Sequence, residues 1–571
     1  MKRNLSDFVK KEYDLLVVGG GIYGATVCWE ATLRGLSVAL VEKTDFGGAT
    51  SASSLKVIHG GLRYLQHADF KRARESIGER KTLLKIAPHL IHVLPVLMPT
   101  YGHGMKGREI MAAGLLLNDI VGFDRNRSLD PQKQIPGGRT ISKKDVLKIL
   151  PGVAQDKLTG AALFYDALAY NSERLTLSYV HSAAKLGADV ANYAEIIEFI
   201  GTDKRVQGAV VKDSLTGEQH EVRARMVVNT AGPWTPALWR LLHKERPSPP
   251  PLKFAKSFNI ITRQLFDKYA VAISSSREFT DNDAVVQRGS RMLFVVPWRG
   301  KSMIGTEYIP CSDDPDSFKV TPEELQTFID DLNSAYPEAK LTLDDILHVH
   351  EGMVPIKGVD PKTGSVRLGK QYEIRDHRQD GVEGVVSVLG VKYTTARFVA
   401  EEILDHVYAA WGEASPPSTS AVTLLHDGQI ERFDVFLEMV GGEKRPFSIP
   451  PNVLHQLVCN YGSAYQNVLS YVDIDALDES DINIAITKAE TRYAVREEMA
   501  QTLTDILFRR TELGSAGYPG DGVLQACADV MATELGWSFN RKETEIHQTK
   551  IQFYATTSDK IHGTTLASST I

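Results

Sequence analysis

Apolar positions along the chain keep two rhythms. Residues 15–18 form an unbroken apolar run closed by glycines, as expected of a parallel strand buried on both faces. A helical stretch follows in which Val27, Ala31 and Leu33 can face a sheet, with Arg34-Gly35 as its stop, and residues 37–41 form a second short strand. Helical spacing returns over 68–86 and 108–123, and again from the end of 164–175 to about 187. Strands are expected at 93–99, 190–200, 208–212 and 221–228, then at 259–261, 270–273, 292–297 and 303–306. A helix over 322–334 precedes a last strand-to-helix unit at 385–397. From about Val422 the pattern is helical, and Val495, Met499, Leu503 and Ile506 mark one apolar face within an expected helix over 486–510. Alternating strands and helices first, and helices afterwards, predict an α/β fold with a C-terminal helical domain.

Glycines punctuate the first unit. Gly19, Gly21 and Gly24 give G-x-G-x-x-G between the first strand and the helix, with Ile22 and Tyr23 opening that helix. The first glycine permits a tight turn, the second lets backbone approach a pyrophosphate, and the third lets helix and strand pack closely. Free N–H groups and the positive dipole end of the helix then face the phosphates. Glu42 ends the second strand, eighteen residues past Gly24, where a carboxylate can accept from a ribose diol. The unit implies a bound dinucleotide and leaves FAD and NAD equally open. Residues 46–64 follow, dense in small and hydroxyl side chains (Thr50, Ser51, Ser53, Ser54) and ending in His59-Gly60-Gly61-Leu62-Arg63-Tyr64. Directly after Glu42 this reads as the cover of an extended dinucleotide.

The order Gly-Gly-Gly-Ile, terminal Glu, Ala-Thr-Ser, then Ile-His-Gly-Gly-Leu-Arg-Tyr-Leu resembles the FAD-dependent glycerol-3-phosphate dehydrogenases and oxidases, within the D-amino-acid-oxidase-like flavoproteins. The resemblance runs from about residue 13 to 536 and includes Asn460-Tyr-Gly-Ser463 and Ile506-Leu-Phe-Arg-Arg-Thr511. It selects FAD. It implies a Rossmann-like FAD-binding domain over 1–410, discontinuous, with an antiparallel substrate-capping domain inserted at about 257–349, reached through the proline-rich crossing 247–251. A C-terminal helical domain over 411–555 and a flexible tail over 556–571 complete the expected layout. Thr230-Ala231-Gly232 would lie beside the FAD, and N–H groups from Val391 through Lys392 to Thr394 would face its pyrimidine ring, stabilising negative charge there. His59 is the first candidate base for the substrate hydroxyl and Lys392 the second, with a structural hydrogen bond under the flavin as the alternative for His59. Arg63 and Tyr64 match residues that touch substrate in the family, and a guanidinium and a phenol suit a phosphate ester.

Bulk properties narrow the rest. A chain of 571 residues exceeds one core, and a net charge of −6 with scattered signs leaves no nucleic-acid footprint. Cys28, Cys311, Cys459 and Cys527 stand far apart, without metal-ligand spacing, as in a reducing cytoplasm. The first eleven residues are too polar for a signal peptide, and no apolar run has membrane-spanning length. The apolar segment Ile110–Leu117 reads either as core packing or as a surface dipping into a membrane interface, the latter placing the protein peripherally on the inner face. A quinone or another acceptor, and a homodimer, are compatible with this class. Two departures from the family bear on substrate. Where the family has Gly-Val-Arg-Pro this chain has Gly352-Met-Val-Pro355, and where it has Lys-Gly-Ser-His this chain has Lys256-Ser-Phe-Asn259. Losing an arginine from a phosphate clamp costs about 2–4 kcal/mol of charge-assisted bonding, roughly ten- to several-hundred-fold in affinity. The Ser53-Ser54-Leu55-Lys56 order also shifts the family's Ser-Ser-Lys by one residue. Three readings follow: a glycerol-3-phosphate dehydrogenase with a rearranged phosphate site, a related FAD enzyme for another polyol, hydroxy acid or amine, and a flavin-retaining protein without turnover.

Overall fold

The computed structural model describes residues 1–104, 107–243, 251–279, 289–369, 371–475, 477 and 481–554. Most of the proline-rich crossing and the expected tail lie outside the described residues. Tyr13–Val18 is an inner strand of the first sheet, parallel to Val38–Val41 on one side and Gln219–Asn229 on the other, with Val385–Leu389 beyond. Leu15, Leu16 and Val17 are fully buried, as a strand covered on both faces requires. The helix Ile22–Leu33 packs on this sheet beside Ser172–Lys185 and Ala396–Trp411. An antiparallel hairpin, Ala194–Thr202 with Arg205–Asp213, lies on the opposite side. The single strand expected at 190–200 is two strands. The chain breaks at Asn192-Tyr193, where Tyr193 is left-handed and the Asn192 amide donates to Asp45 and to the Met499 carbonyl.

A second, ten-stranded sheet stands over the carboxyl ends of the first. Its order runs from Val366–Leu368 through His348–Val359, Lys253–Arg263, Lys301–Cys311, Gly289–Trp298 and Ala270–Phe279 to Ile91–Tyr101, Leu158–Ala169 and Val57–Ile58. The sheet is therefore wider than an insert at 257–349. Ile91–Tyr101 and Leu158–Ala169 pair along their whole length and continue it, and His348–Val359 stays in it instead of returning to the first sheet. Sequence order concealed this because partners such as Val96 and Ala270, paired in a parallel ladder, lie far apart along the chain.

The C-terminal helices are tied to the first sheet by buried charge. Arg510 grips Asp45 with two bonds of 2.7 Å, and Arg509 adds a third of 2.6 Å. Burial alone would raise the Asp45 carboxyl, but the two guanidinium groups pull it down to about 2. The expected helix over 486–510 ends at Glu498. Met499 takes a left-handed conformation, and Thr502 opens a new turn through a capping box with Asp505 before the wide turn Ile506–Arg510. Apolar spacing persisted across the break because both pieces face one core. Near the junction, Tyr461 donates to Glu490 at 3.0 Å while the Arg174 guanidinium lies over its ring. Burial raises the Glu490 carboxyl to about 8, so the folded chain holds a proton there that the unfolded chain releases above about 4.5. That contribution is complete at low pH and is lost as pH rises towards 8. Glu490→Gln should accordingly lose less thermal stability than the wild type between pH 5 and 8.5; identical losses would mean an ionised Glu490.

Candidate functional site

A cleft of about 1680 Å³ runs between the two sheets. At one end stands the glycine turn. Gly19 is left-handed, and a Cβ there would meet Ala231 and the Thr230 carbonyl at 2.9 Å. A Cβ on Gly24 would fall 1.8 Å from the Gly19 carbonyl oxygen, which fixes its role as helix–strand contact; it does not line the cleft. The Ile22 N–H donates to Ser51 Oγ at 2.9 Å, so the covering loop meets the helix N-terminus directly. Glu42 lines the same wall. Burial raises its carboxyl, against the Gly20 and Thr44 N–H groups that bond it. Tyr23, Ser53 and Ser54 continue the wall, as do Ala231, Gly232 and the Val391-to-Thr394 segment just before the helix Ala396–Trp411. Thr50 lines the cleft too, but its hydroxyl is engaged with the backbone of Met353, holding the covering loop to the second sheet. Lys56, the residue out of family register, is fully buried, left-handed and bonded to Glu173 at 2.7 Å, an anchor of that loop.

His59, Arg63, Tyr64 and Lys392 line the same cleft. Gly61 is left-handed and starts the turn Leu62–His67 that carries Arg63 and Tyr64. Lys392 Nζ lies 4.7 Å from the centre of the Tyr64 ring, and the Lys392 carbonyl accepts from Tyr23. The His59 side chain is half exposed to the cleft, its Nδ1 3.0 Å from Asp166 Oδ2 and its ring edge-on to Phe294. Gly60 sits behind this surface, where a Cβ would strike the Arg80 guanidinium at 2.1 Å. Its N–H donates to Asp166 Oδ1 at 2.7 Å, and Arg80 donates to the same oxygen at 2.9 Å.

Both departures from the family are on the wall. Val354 is nearly buried, clustered with Ala255 and Ile356 beside Tyr308 and Val391. Asn259 donates to the Ser53 carbonyl at 2.8 Å and accepts from Thr306 at 2.8 Å, so it joins the sheet to the covering loop. Lys256 is turned instead to Asp313 and Glu324. Sequence reasoning missed Asp166 and a pair of arginines, Arg277 and Arg291. The arginines reach the cleft from neighbouring strands and share the nearly buried Glu307, with Arg291 at 2.6 Å and Arg277 at 3.3 Å. Asp166 was detectable in principle: a carboxylate within the otherwise apolar strand Leu158–Ala169 needs a partner.

A long cleft with a glycine turn at a helix start, an acid at a strand end and small residues along its floor fits FAD. Comparison with known proteins agrees. The family described as FAD dependent oxidoreductase matches residues 14–403, and the C-terminal domain of alpha-glycerophosphate oxidase matches residues 433–542. The chain is 31% identical to the glycerol-3-phosphate dehydrogenase of Synechocystis sp., over 96% of this chain and 97% of that one. It is 27% identical to the mitochondrial glycerol-3-phosphate dehydrogenase of Homo sapiens, over 95% of this chain and 73% of the relative. The structure of the glycerol-3-phosphate dehydrogenase from Bacillus halodurans, complexed with FAD, is similar with a TM-score of 0.73 at 25% identity, covering 96% of each chain.

Proposed function

This chain belongs to the FAD-dependent oxidoreductases of the glycerol-3-phosphate dehydrogenase family, and from that premise we propose that it oxidises glycerol 3-phosphate to dihydroxyacetone phosphate. The observation that carries the reading is that one cleft is lined both by the dinucleotide wall and by His59, Arg63, Tyr64 and Lys392, with Lys392 set against the Tyr64 ring. FAD, when bound, supplies the acceptor for the hydride that leaves the carbinol carbon. Gly19, Gly21 and the Ile22–Tyr23 helix start would hold its pyrophosphate, with Glu42 on the ribose and Ser51, Ser53 and Ser54 along its length. Ala231, Gly232 and residues Val391 to Thr394 would flank the flavin. His59 would take the hydroxyl proton at Nε2, since Nδ1 faces Asp166. Arg63 and Lys392 would hold the anionic tail and Tyr64 would orient it. The flavin should be non-covalent, so acid treatment should release free FAD. Formation of dihydroxyacetone phosphate from glycerol 3-phosphate with an artificial electron acceptor tests the assignment. No product at saturating substrate, from protein that retains FAD, would overturn it.

No described helix is long and apolar enough to cross a membrane. The helix Arg108–Val121 nevertheless turns an apolar face outwards: Leu115 is buried, whereas Leu116 and Ile120 are more than 60% exposed and Phe123 just beyond is 81% exposed. Of the two sequence readings for this segment, core packing holds for Leu115 and for Met111, which join one buried cluster, while the opposite face is left uncovered. Residues 110–117 packed only their Leu115 side inwards, and periodicity cannot tell which side of an apolar helix is covered. This helix rests against the turn bearing Arg63 and Tyr64. In our reading the face enters a membrane interface and brings the flavin end of the cleft towards a lipid-borne quinone. Leu116→Asp with Ile120→Asp should abolish co-flotation with anionic lipid vesicles and leave the artificial-acceptor rate unchanged. Wild-type protein that never co-floats and reduces oxygen rapidly would replace quinone with oxygen as acceptor.

A further inference from the structure

The Asp166 carboxylate is placed to decide which nitrogen of His59 is available for chemistry. Oδ1 already accepts two hydrogen bonds, from the Gly60 N–H at 2.7 Å and from Arg80 at 2.9 Å, while Oδ2 lies 3.0 Å from His59 Nδ1. Asp166 is 5% exposed and Arg80 is 3% exposed, so the pair is almost wholly removed from water. Arg80 also donates to the Tyr165 carbonyl, which fixes its guanidinium behind the carboxylate. An acid so paired is ionised and can only accept hydrogen bonds. The proton between the two side chains must then sit on His59 Nδ1, and Nε2 keeps its lone pair towards the cleft.

We propose that Asp166, backed by Arg80, is the positioning residue for His59: it fixes the tautomer that presents a bare Nε2 to the substrate hydroxyl and holds the imidazolium that forms. This rests on the assignment of His59 as base. As the carbinol is oxidised, the hydroxyl proton would pass to His59 Nε2 and the C–O bond would become a carbonyl, the hydride from the carbinol carbon being taken by FAD when it is bound. The positive charge gained by the imidazole meets the Asp166 carboxylate 3.0 Å away. Asp166 faces the ring from the strand Leu158–Ala169, Arg80 stands behind it on the helix Phe70–Ile86, the strand Gly289–Trp298 contributes the uncharged Phe294, and Arg63, Arg291 and Lys392 line the same cleft. The arrangement costs a buried charge pair. Its return is a base oriented before substrate arrives.

Asp166→Asn is the discriminating change. Its amide can keep the bonds from Gly60 and Arg80 on oxygen and must then donate to His59 Nδ1, which moves the imidazole proton to Nε2. The rate of flavin reduction at saturating substrate should fall about ten- to a hundred-fold with KM changed by less than about three-fold. Independently of turnover, ¹H–¹⁵N spectra of histidine-labelled protein, with the His59 signal assigned by its loss in His59→Gln, should show Nδ1 protonated in the wild type and Nε2 protonated in Asp166→Asn. A wild-type His59 protonated at Nε2 would overturn the proposal even if the variant failed to fold. So would an Asp166→Asn protein with unaltered rate. If the substrate assignment itself is wrong, wild-type flavin will not respond to glycerol 3-phosphate while the tautomer result stands, so the two failures are distinguishable.

Discussion

His59→Gln should purify yellow, with FAD bound in normal amount, and reduce that flavin with glycerol 3-phosphate about 10²- to 10⁴-fold more slowly than the wild type. The size is that of removing a positioned general base. Flavin retention is expected because, in this reading, the glycine turn, Glu42 and Ser51 would hold the dinucleotide, and His59 is one of many residues on the wall of the cleft. Its side chain is half exposed, so glutamine fits without a buried void. Stopped-flow absorbance at saturating substrate measures the effect. A His59→Gln enzyme within about three-fold of the wild type would assign the proton to Lys392, and Lys392→Met would then carry the loss.

The tail of the substrate gives the second large effect. Arg277 and Arg291 line the cleft but are committed to Glu307, and Val354 stands where the family has an arginine. If phosphate is the handle, Arg63 carries most of its charge. Arg63→Ala should therefore abolish flavin reduction by glycerol 3-phosphate at millimolar concentrations. Val354→Arg should lower the apparent Kd about ten-fold, the worth of one added charge-assisted contact. Val354 borders the cleft beside Tyr308, so a longer side chain can reach the open space instead of remaining among Ala255 and Ile356. Were the wall instead shaped for an uncharged tail, the same guanidinium would be an uncompensated buried charge and would weaken binding or folding. Val354→Arg protein that folds, keeps FAD and gains nothing on glycerol 3-phosphate would count against phosphate recognition at this wall.

The first sheet was legible because each of its signals is local. Apolar run, three glycines, helix and terminal Glu42 lie within thirty or so residues, and each has one economical physical reading. The C-terminal break at Met499 was not legible: a left-handed methionine carries no compositional mark, and the apolar rhythm of Val495, Leu503 and Ile506 continued across it. The second sheet was under-read for a different reason. Its continuation rests on the pairing of Ile91–Tyr101 with Ala270–Phe279, strands more than a hundred residues apart in sequence, and no local pattern encodes such a pairing. Residues on the covering loop and the His59-to-Tyr64 turn, which line the cleft, could be named in advance because motif and chemistry coincide there. Asp166, Arg80, Arg277 and Arg291 were missed because they come from elements whose patterns speak only of packing, and their meaning appears when three strands and a helix converge.

Anaerobic titration of the purified yellow protein, followed at the oxidised flavin band near its visible maximum, tests the central claim most directly. Glycerol 3-phosphate should bleach the band completely and yield one dihydroxyacetone phosphate per flavin, while free glycerol at the same concentration leaves it oxidised. A flavin that stays oxidised with glycerol 3-phosphate, yet bleaches with an unphosphorylated polyol, a 2-hydroxy acid or an amine, would contradict the account.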